Sequence, residues 1–381
     1  MTNIDLKKND EEPVIEGKAK LSFKEKLKKF WSVPKNRKIV IISTIGLILI
    51  ALALGLFFIF RPDLGKDLSL DVNKEEKNKL YQSILDGTMV DFESANRHPL
   101  GVMVENHTDA RPQIGLSAAS IVYEAIAEGR ITRFLAVYGP RGAETIGPVR
   151  SARTYYVDWI RELDGYYAHC GGNYDALELI KQDGILDLDQ FQNPSAYWRD
   201  YSRKVSSEHT IFTASSKLYG IASDKKYSTE NKFIPYKFKD DLAVEKRPAA
   251  ETISINFGNV SYNIVYKYNP TENRYLREMA GKPHIDGGDN TQLSARNVVV
   301  QIVKRSSTVT AINESGWKMD TVGSGEASIF QDGTEIKATW KKDNENSRTR
   351  FYNKSTGVEI EFNSGTTWIE VLSPELSFTA Q

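Results

Sequence analysis

The residues best suited to chemistry fall in four short polar clusters, each placed directly after an apolar run. The most distinctive is Ile146-Gly-Pro-Val-Arg-Ser-Ala-Arg153, where a Gly-Pro turn delivers Arg150 and Arg153 near the start of a helix. Two guanidiniums, with Ser151 as a hydroxyl donor and free backbone N–H groups behind them, are suited to a phosphate or carboxylate. Pairing of Arg150 and Arg153 with Glu124 or Glu128 as structural bridges is the competing reading. Glu105-Asn-His-Thr-Asp109, with Arg111, places Asn106 and His107 at the end of a strand. His169-Cys-Gly-Gly-Asn173 passes from strand to helix through Gly171 and Gly172, which let a ligand approach the backbone. The fourth cluster joins Trp198-Arg199-Asp200 to Glu208-His209-Thr210.

The ligand-binding set expected from these clusters is Asn106, Glu124, Arg150, Ser151, Arg153, His169, Gly171, Gly172 and His209. A Cys–His dyad at His169 and Cys170 is disfavoured, because neighbours on a strand point to opposite faces. His107, Asp109, His169 and His209 are possible metal ligands, but their spacing matches no familiar motif, so neither a metal nor a cofactor is expected.

These clusters need elements to hold them. Leu100–Val104, Ile131–Tyr138 and Tyr166–His169 read as strands. Helices are expected over Leu116–Glu128, Ser151–Leu163 and Tyr174–Lys181. Strand and helix signals in alternation imply an α/β domain over 96–245, with polar clusters at the strand ends where open sheets bind ligands. Residues 250–381 carry eight strand-like runs with turns at Asp332-Gly333 and Ser364-Gly365, and imply a mainly β domain, a sandwich or half-open barrel.

Ahead of both domains, Ile39–Phe60 is free of charge, and its 22 residues would span roughly 33 Å as a helix, enough to cross a hydrocarbon core. Lysines and arginines crowd its amino-terminal side, so residues 1–38 are expected in the cytoplasm and the folded part outside. A signal peptide is the competing reading, opposed by the long charged leader and by the apolar residues that follow Ala53. Phe23, Leu27, Phe30 and Trp31 recur among lysines as in a basic amphipathic helix, which suits either the inner leaflet or a plain tether. Residues 61–95 read as a stalk. The chain has 50 basic and 50 acidic side chains, so it lacks the positive field of a nucleic-acid binder. Its single cysteine excludes an internal disulfide and leaves no acylation site beside the apolar run.

His98-Pro-Leu-Gly-Val-Met-Val-Glu-Asn-His107, Ala110-Arg-Pro-Gln113, Ile121-Val-Tyr-Glu124, Ile131-Thr-Arg-Phe-Leu135, Gly147-Pro-Val-Arg-Ser-Ala-Arg153, His169-Cys-Gly-Gly172, Asp286 and Asn297-Val-Val-Val300 together resemble the DUF3048 family of YerB-like lipoproteins. The resemblance covers about 95–378 and implies the two-domain architecture without implying an activity. The chain departs from it in having a helix anchor without a lipobox cysteine, and in Cys170 where a small apolar residue is expected. A looser likeness joins the chain to the LytR-CpsA-Psr phosphotransferases. It rests on a membrane helix before an α/β domain, and on strand Phe134–Val137, the arginine turn and Gly171-Gly172 in succession.

The reading that follows is a single-pass, extracytoplasmic envelope protein that binds an anionic cell-wall or lipid-linked glycan through Arg150 and Arg153. The alternatives are a glycopolymer phosphotransferase or hydrolase, with Glu124, Asp109 or His169 as acid–base groups, and a protein-interaction scaffold built on the edges of the β domain.

Overall fold

The computed structural model describes residues 22–60 and 79–381. The expected disordered tail and residues 61–78 of the expected stalk lie outside the described residues. The chain divides into two units, Met1–Lys77 and Asn78–Gln381.

In the first unit, helix α1 (Phe23–Ser32) opens with a capping box. Ser22 accepts from the Glu25 N–H, and Glu25 accepts from the Ser22 N–H. Its Phe23, Leu27, Phe30 and Trp31 are exposed, as the amphipathic pattern requires. Helix α2 (Pro34–Phe60) starts on a proline, whose missing N–H costs nothing in a first turn. It contains a stretch, Pro34–Ala53, long and apolar enough to cross a membrane.

The second unit is built on a ten-stranded sheet. Its strands are β1 (Leu100–Glu105), β2 (Ile121–Glu128), β3 (Ile131–Tyr138), β4 (Tyr166–Ala168), β5 (Leu186–Asp187), β11 (Asn297–Ile302), β12 (Gly323–Gln331), β13 (Thr334–Lys342), β14 (Arg350–Asn353) and β15 (Thr367–Leu372). They lie in the order β14-β13-β12-β11-β15-β2-β3-β1-β4-β5. The junction is the parallel pair β15–β2, which sets Glu370 opposite Glu124. The α/β and mainly β segments of the sequence therefore share one sheet. Strand formers from both halves could bury two faces only by joining edges.

Leu116–Glu128 is not the expected helix. Ile121–Glu128 is a strand in the middle of this sheet, preceded by a single 3-10 turn at Leu116–Ala118. Its run is apolar on both faces because both are covered, and such a run mimics helical spacing. The expected strand Val358–Phe362 contracts to Phe362–Asn363. Residues 79–95, read as stalk, are part of the fold: Tyr81–Gln82 pairs with Met89–Val90, and Leu85 joins the core.

One face of the sheet is covered by α3 (Thr154–Arg161) and α4 (Tyr174–Gln182), with Tyr155, Trp159, Ile160 and Ile180 packed on Met103, Tyr123, Leu135 and Ile369. The opposite face meets α5 (Ser215–Asp224) and a six-stranded sheet of β6 (Thr252–Asn256), β7 (Ile264–Asn269), β8 (Arg274–Met279), β9 (Lys282–Pro283), β10 (Ser294–Ala295) and β16 (Ser377–Ala380), ordered β9-β8-β7-β6-β16 with β10 on β8. Ile253, Ile255, Tyr266 and Tyr275 from the smaller sheet pack with Val122, Phe134, Val298 and Trp368 of the larger one. The carboxyl-terminal region is mainly β, as expected.

Candidate functional site

The segment Ile146–Ala152 is the seam on which the polar clusters meet. It runs extended and has no sheet partner along its length, so its backbone groups are satisfied piecemeal. Glu105 N–H donates to the Pro148 carbonyl, Arg150 N–H to Met103, Val149 N–H to Ile211, Ala152 N–H to Gly171, and Cys170 N–H to Arg150. One segment thereby ties the end of β1 to the His169–Gly172 turn after β4 and to the strand following His209. The clusters lie at the carboxyl ends of the parallel neighbours β1 and β4, the edge at which an open sheet presents ligands.

Three of the four clusters converge through Arg150. Its Nε lies 2.9 Å from Glu105 Oε1, and its Nη2 donates to Glu208 Oε2 at 3.1 Å. The other oxygen of Glu105 accepts from His209 Nδ1 at 2.8 Å. His209 is stacked flat on His107, with ring centroids 4.9 Å apart and planes 6° from parallel. Asp109, on the 3-10 turn Thr108–Ala110, borders the same group. Glu105 is buried, whereas Glu208 has a side chain 52% exposed.

Arg153 stands apart. It occupies the N-cap of α3 and pairs with Glu128, which Arg133 also holds at 3.0 Å. Burial opposes the charge on Glu128, but Arg133 and Arg153 prevail and keep its carboxyl below the usual glutamate range. The structural alternative for Arg153 is thus the observed arrangement, while Arg150 takes Glu105 and Glu208 instead of Glu124. Ser151 contributes its carbonyl to Arg133 Nη1.

His169 is sealed within the fold. Its two ring nitrogens face acceptors, Asp187 Oδ1 at 3.0 Å and the Gly171 carbonyl at 2.8 Å. Gly171 adopts a left-handed φ of 59°, and its N–H donates to Asp189 Oδ1 at 2.8 Å. Gly172 makes the bridge to Ala152. This turn is a structural clasp for β4 and β5. The neighbouring Cys170 thiol is pushed up by burial and then by Asp189, which makes it a poor nucleophile.

Asn106 and Glu124 belong to a second network, buried between the two sheets. Asn106 Nδ2 donates to Thr132 Oγ1 at 2.7 Å and to Glu124 Oε1 at 3.2 Å, and its Oδ1 accepts from Gln113 and Arg111. Glu124 is ion-paired with Arg277, whose guanidinium lies over Trp368 and beside Glu370. Arg277 donates to His284 Nδ1, so His284 Nε2 carries the proton and donates to Gln113 Oε1 at 3.0 Å. Burial, then Arg277 and Arg111, holds His284 far below the usual histidine range and keeps it neutral. Glu370 is pushed well upward by burial and by Glu124. Arg277 thus balances one carboxylate, and burial beside Glu124 favours the protonated form of Glu370. No solvent reaches Glu124 or His169, so neither is placed to act on a substrate as an acid or base.

Sequence reading did not place Arg277, His284, Gln113 or Glu370 in any site. Glu370 had a visible signal, as the one charge in the run Thr367–Leu372; Arg277 did not, because its strand also carries Arg274 and Glu278.

Comparison with known proteins agrees with the motifs. Residues 85–228 match the family model "Protein of unknown function (DUF3048) N-terminal domain", and 253–369 match its C-terminal counterpart. "Putative lipoprotein YerB" of Bacillus subtilis is 31% identical over 331 residues, which is 84% of this chain and 93% of that protein. The crystal structure of the YerB protein from Bacillus subtilis superposes with a TM-score of 0.69 at 27% identity, covering 78% of this chain and 99% of that one.

Proposed function

Since this chain belongs to the DUF3048 family, we propose that it is an extracytoplasmic envelope protein, held to the membrane by α2, that binds an anionic group at Arg150. Anchoring by the helix is supported by its length and by the lysine-rich flank before it. The only cysteine, Cys170, lies inside the folded unit, so the helix itself takes the place of a lipid anchor.

The observation that carries the ligand reading is the asymmetry of the two carboxylates on Arg150. Glu105 is buried and fixed by His209, while Glu208 is exposed and occupies the outer face of the guanidinium. An exposed ion pair contributes little to stability, about 1 kcal/mol or less. An incoming phosphate or carboxylate can therefore exchange with Glu208 at small cost, and would keep the charge-assisted geometry. Arg153 shares Glu128 with Arg133, so displacing that carboxylate would unpair two guanidiniums, and the site rests on Arg150 alone.

The test is thermal unfolding of the Asn78–Gln381 unit with a lipid pyrophosphate analogue, in wild type, Arg150→Gln and Glu208→Gln. A ligand of the native state raises the midpoint by mass action. Wild type should be stabilised, Glu208→Gln more so, and Arg150→Gln not at all. Equal responses in all three proteins would remove Arg150 from the site.

A further inference from the structure

We propose that His107, Asp109 and His209 form a binding site for a divalent transition-metal ion of the zinc class. One ligand atom from each of the three lies within 4.8 Å of the other two. The donor set is two imidazoles and one carboxylate. Imidazole nitrogens select zinc and its neighbours over calcium or magnesium, which prefer all-oxygen shells. Three protein ligands with a further position left to water is the usual composition of an open zinc site.

The second, independent observation is the setting of His209. The ring is buried, and its Nδ1 donates to Glu105 Oε2 at 2.8 Å, while Glu105 is itself held by Arg150. This hydrogen bond fixes the tautomer, so Nε2 keeps its lone pair. A carboxylate behind a histidine in this way orients metal ligands and raises their basicity. The other two ligands lie toward solvent, with side chains 33% exposed at His107 and 61% at Asp109, which gives an ion a route of entry. His107 Nδ1 and Asp109 Oδ2 are 3.8 Å apart. The His107 ring lies parallel to His209 and its Nδ1 accepts from the Asp109 N–H at 3.3 Å, so the partly exposed His107 ring and the Asp109 side chain both rotate to reach the donor separation of roughly 3.3 Å that ligand bonds of about 2.0–2.2 Å require. Glu208 Oε1, 3.6 Å from His209 Nε2, is within reach as an added oxygen ligand. The sequence placed these three, with His169, among the candidate ligands, but no spacing motif marked them because His209 arrives from a strand connection far from His107 and Asp109.

The proposal is independent of anion binding at Arg150, because it is read with metal alone. The Asn78–Gln381 unit, which has its own two-layered core, is stripped with chelator and titrated with Zn2+ by calorimetry, then with Co2+ by visible absorption. Wild type should take up one equivalent, with the absorption of nitrogen- and oxygen-ligated cobalt. His107→Ala and Asp109→Asn, both near the surface, should keep the circular dichroism of the metal-free fold. They should lose more affinity than the roughly 10- to 100-fold expected from Glu105→Gln, which removes only the orienting partner. Absence of stoichiometric zinc in wild type, or wild-type affinity in both ligand variants, would overturn the assignment.

Discussion

Arg277 is fully buried with Glu124, Glu370 and a neutral histidine around it. Removing one member of a buried pair strands the other charge, at a cost of about 3–5 kcal/mol. Arg277→Met should therefore lower urea-unfolding stability by that amount, and a loss under about 1 kcal/mol would mean that the cluster relaxes or hydrates. Glu370→Gln should behave differently. Its amide can accept from the Tyr266 hydroxyl, which now donates to Glu370 Oε1 at 2.6 Å, and stays neutral beside Glu124 at every pH. The pH dependence separates the two states of Glu370. Its proton affinity in the folded chain is raised above the ordinary value of 4.5, so the native state holds more protons than the unfolded state above that pH. Wild-type stability must fall as pH rises from about 4.5 through the raised value, and the glutamine variant cannot titrate. E370Q should gain on wild type across that interval; parallel pH profiles would show that Glu370 is ionised throughout.

At the scale of elements, the extended segment Ile146–Ala152 matters more than any helix, because it carries Arg150 to Glu105 and binds the ends of β1 and β4 together. Gly147 is required within it. Its φ of 149° is one that side chains seldom adopt, and a Cβ there would come within 2.9 Å of the Ile211 carbonyl oxygen. Gly147→Ala should cost about 1–3 kcal/mol and disturb the seam on both sides. Hydrogen exchange would report it as loss of protection at Val149, Arg150 and Cys170; unchanged protection would show that the seam is not held by this turn. The motif was legible in the sequence as a Gly-Pro turn feeding two arginines. That one arginine faces an exchangeable carboxylate while the other shares its carboxylate with Arg133 was not, since Glu208 and Glu128 reach them from separate parts of the chain.

For the molecule as a whole, the shared sheet has a consequence for folding. Strands β11 and β15 from the carboxyl-terminal part lie between β12 and β2, so cutting the chain near residue 245 leaves β2 as an apolar edge with Glu124 unpaired. A fragment spanning 79–245 should not unfold cooperatively, whereas Asn78–Gln381 should. Melting followed by circular dichroism distinguishes the two, and a sharp transition in the short fragment would restore the independence of the domains. The anchor is tested at this scale as well. Protease added to intact cells should remove the folded unit and spare residues 1–38 if the lysine-rich flank is cytoplasmic.

The sequence by itself determined what depends on near neighbours. The charge-free run of α2, the capping box of α1, most strands of the carboxyl-terminal half, and the placing of polar clusters after strands are all set by periodicity or by residues a few positions apart. Ile121–Glu128 shows the limit of such signals, because an apolar run takes the form of strand or helix according to what covers it. Tertiary structure decided which partners each charge acquired. Arg277 meets Glu124 across 153 residues and His209 meets Glu105 across 104, and these distances close only when strand order and register are complete. Electrostatic pairing falls off over a few ångströms, so it is written in the folded geometry and not in the spacing of residues along the chain.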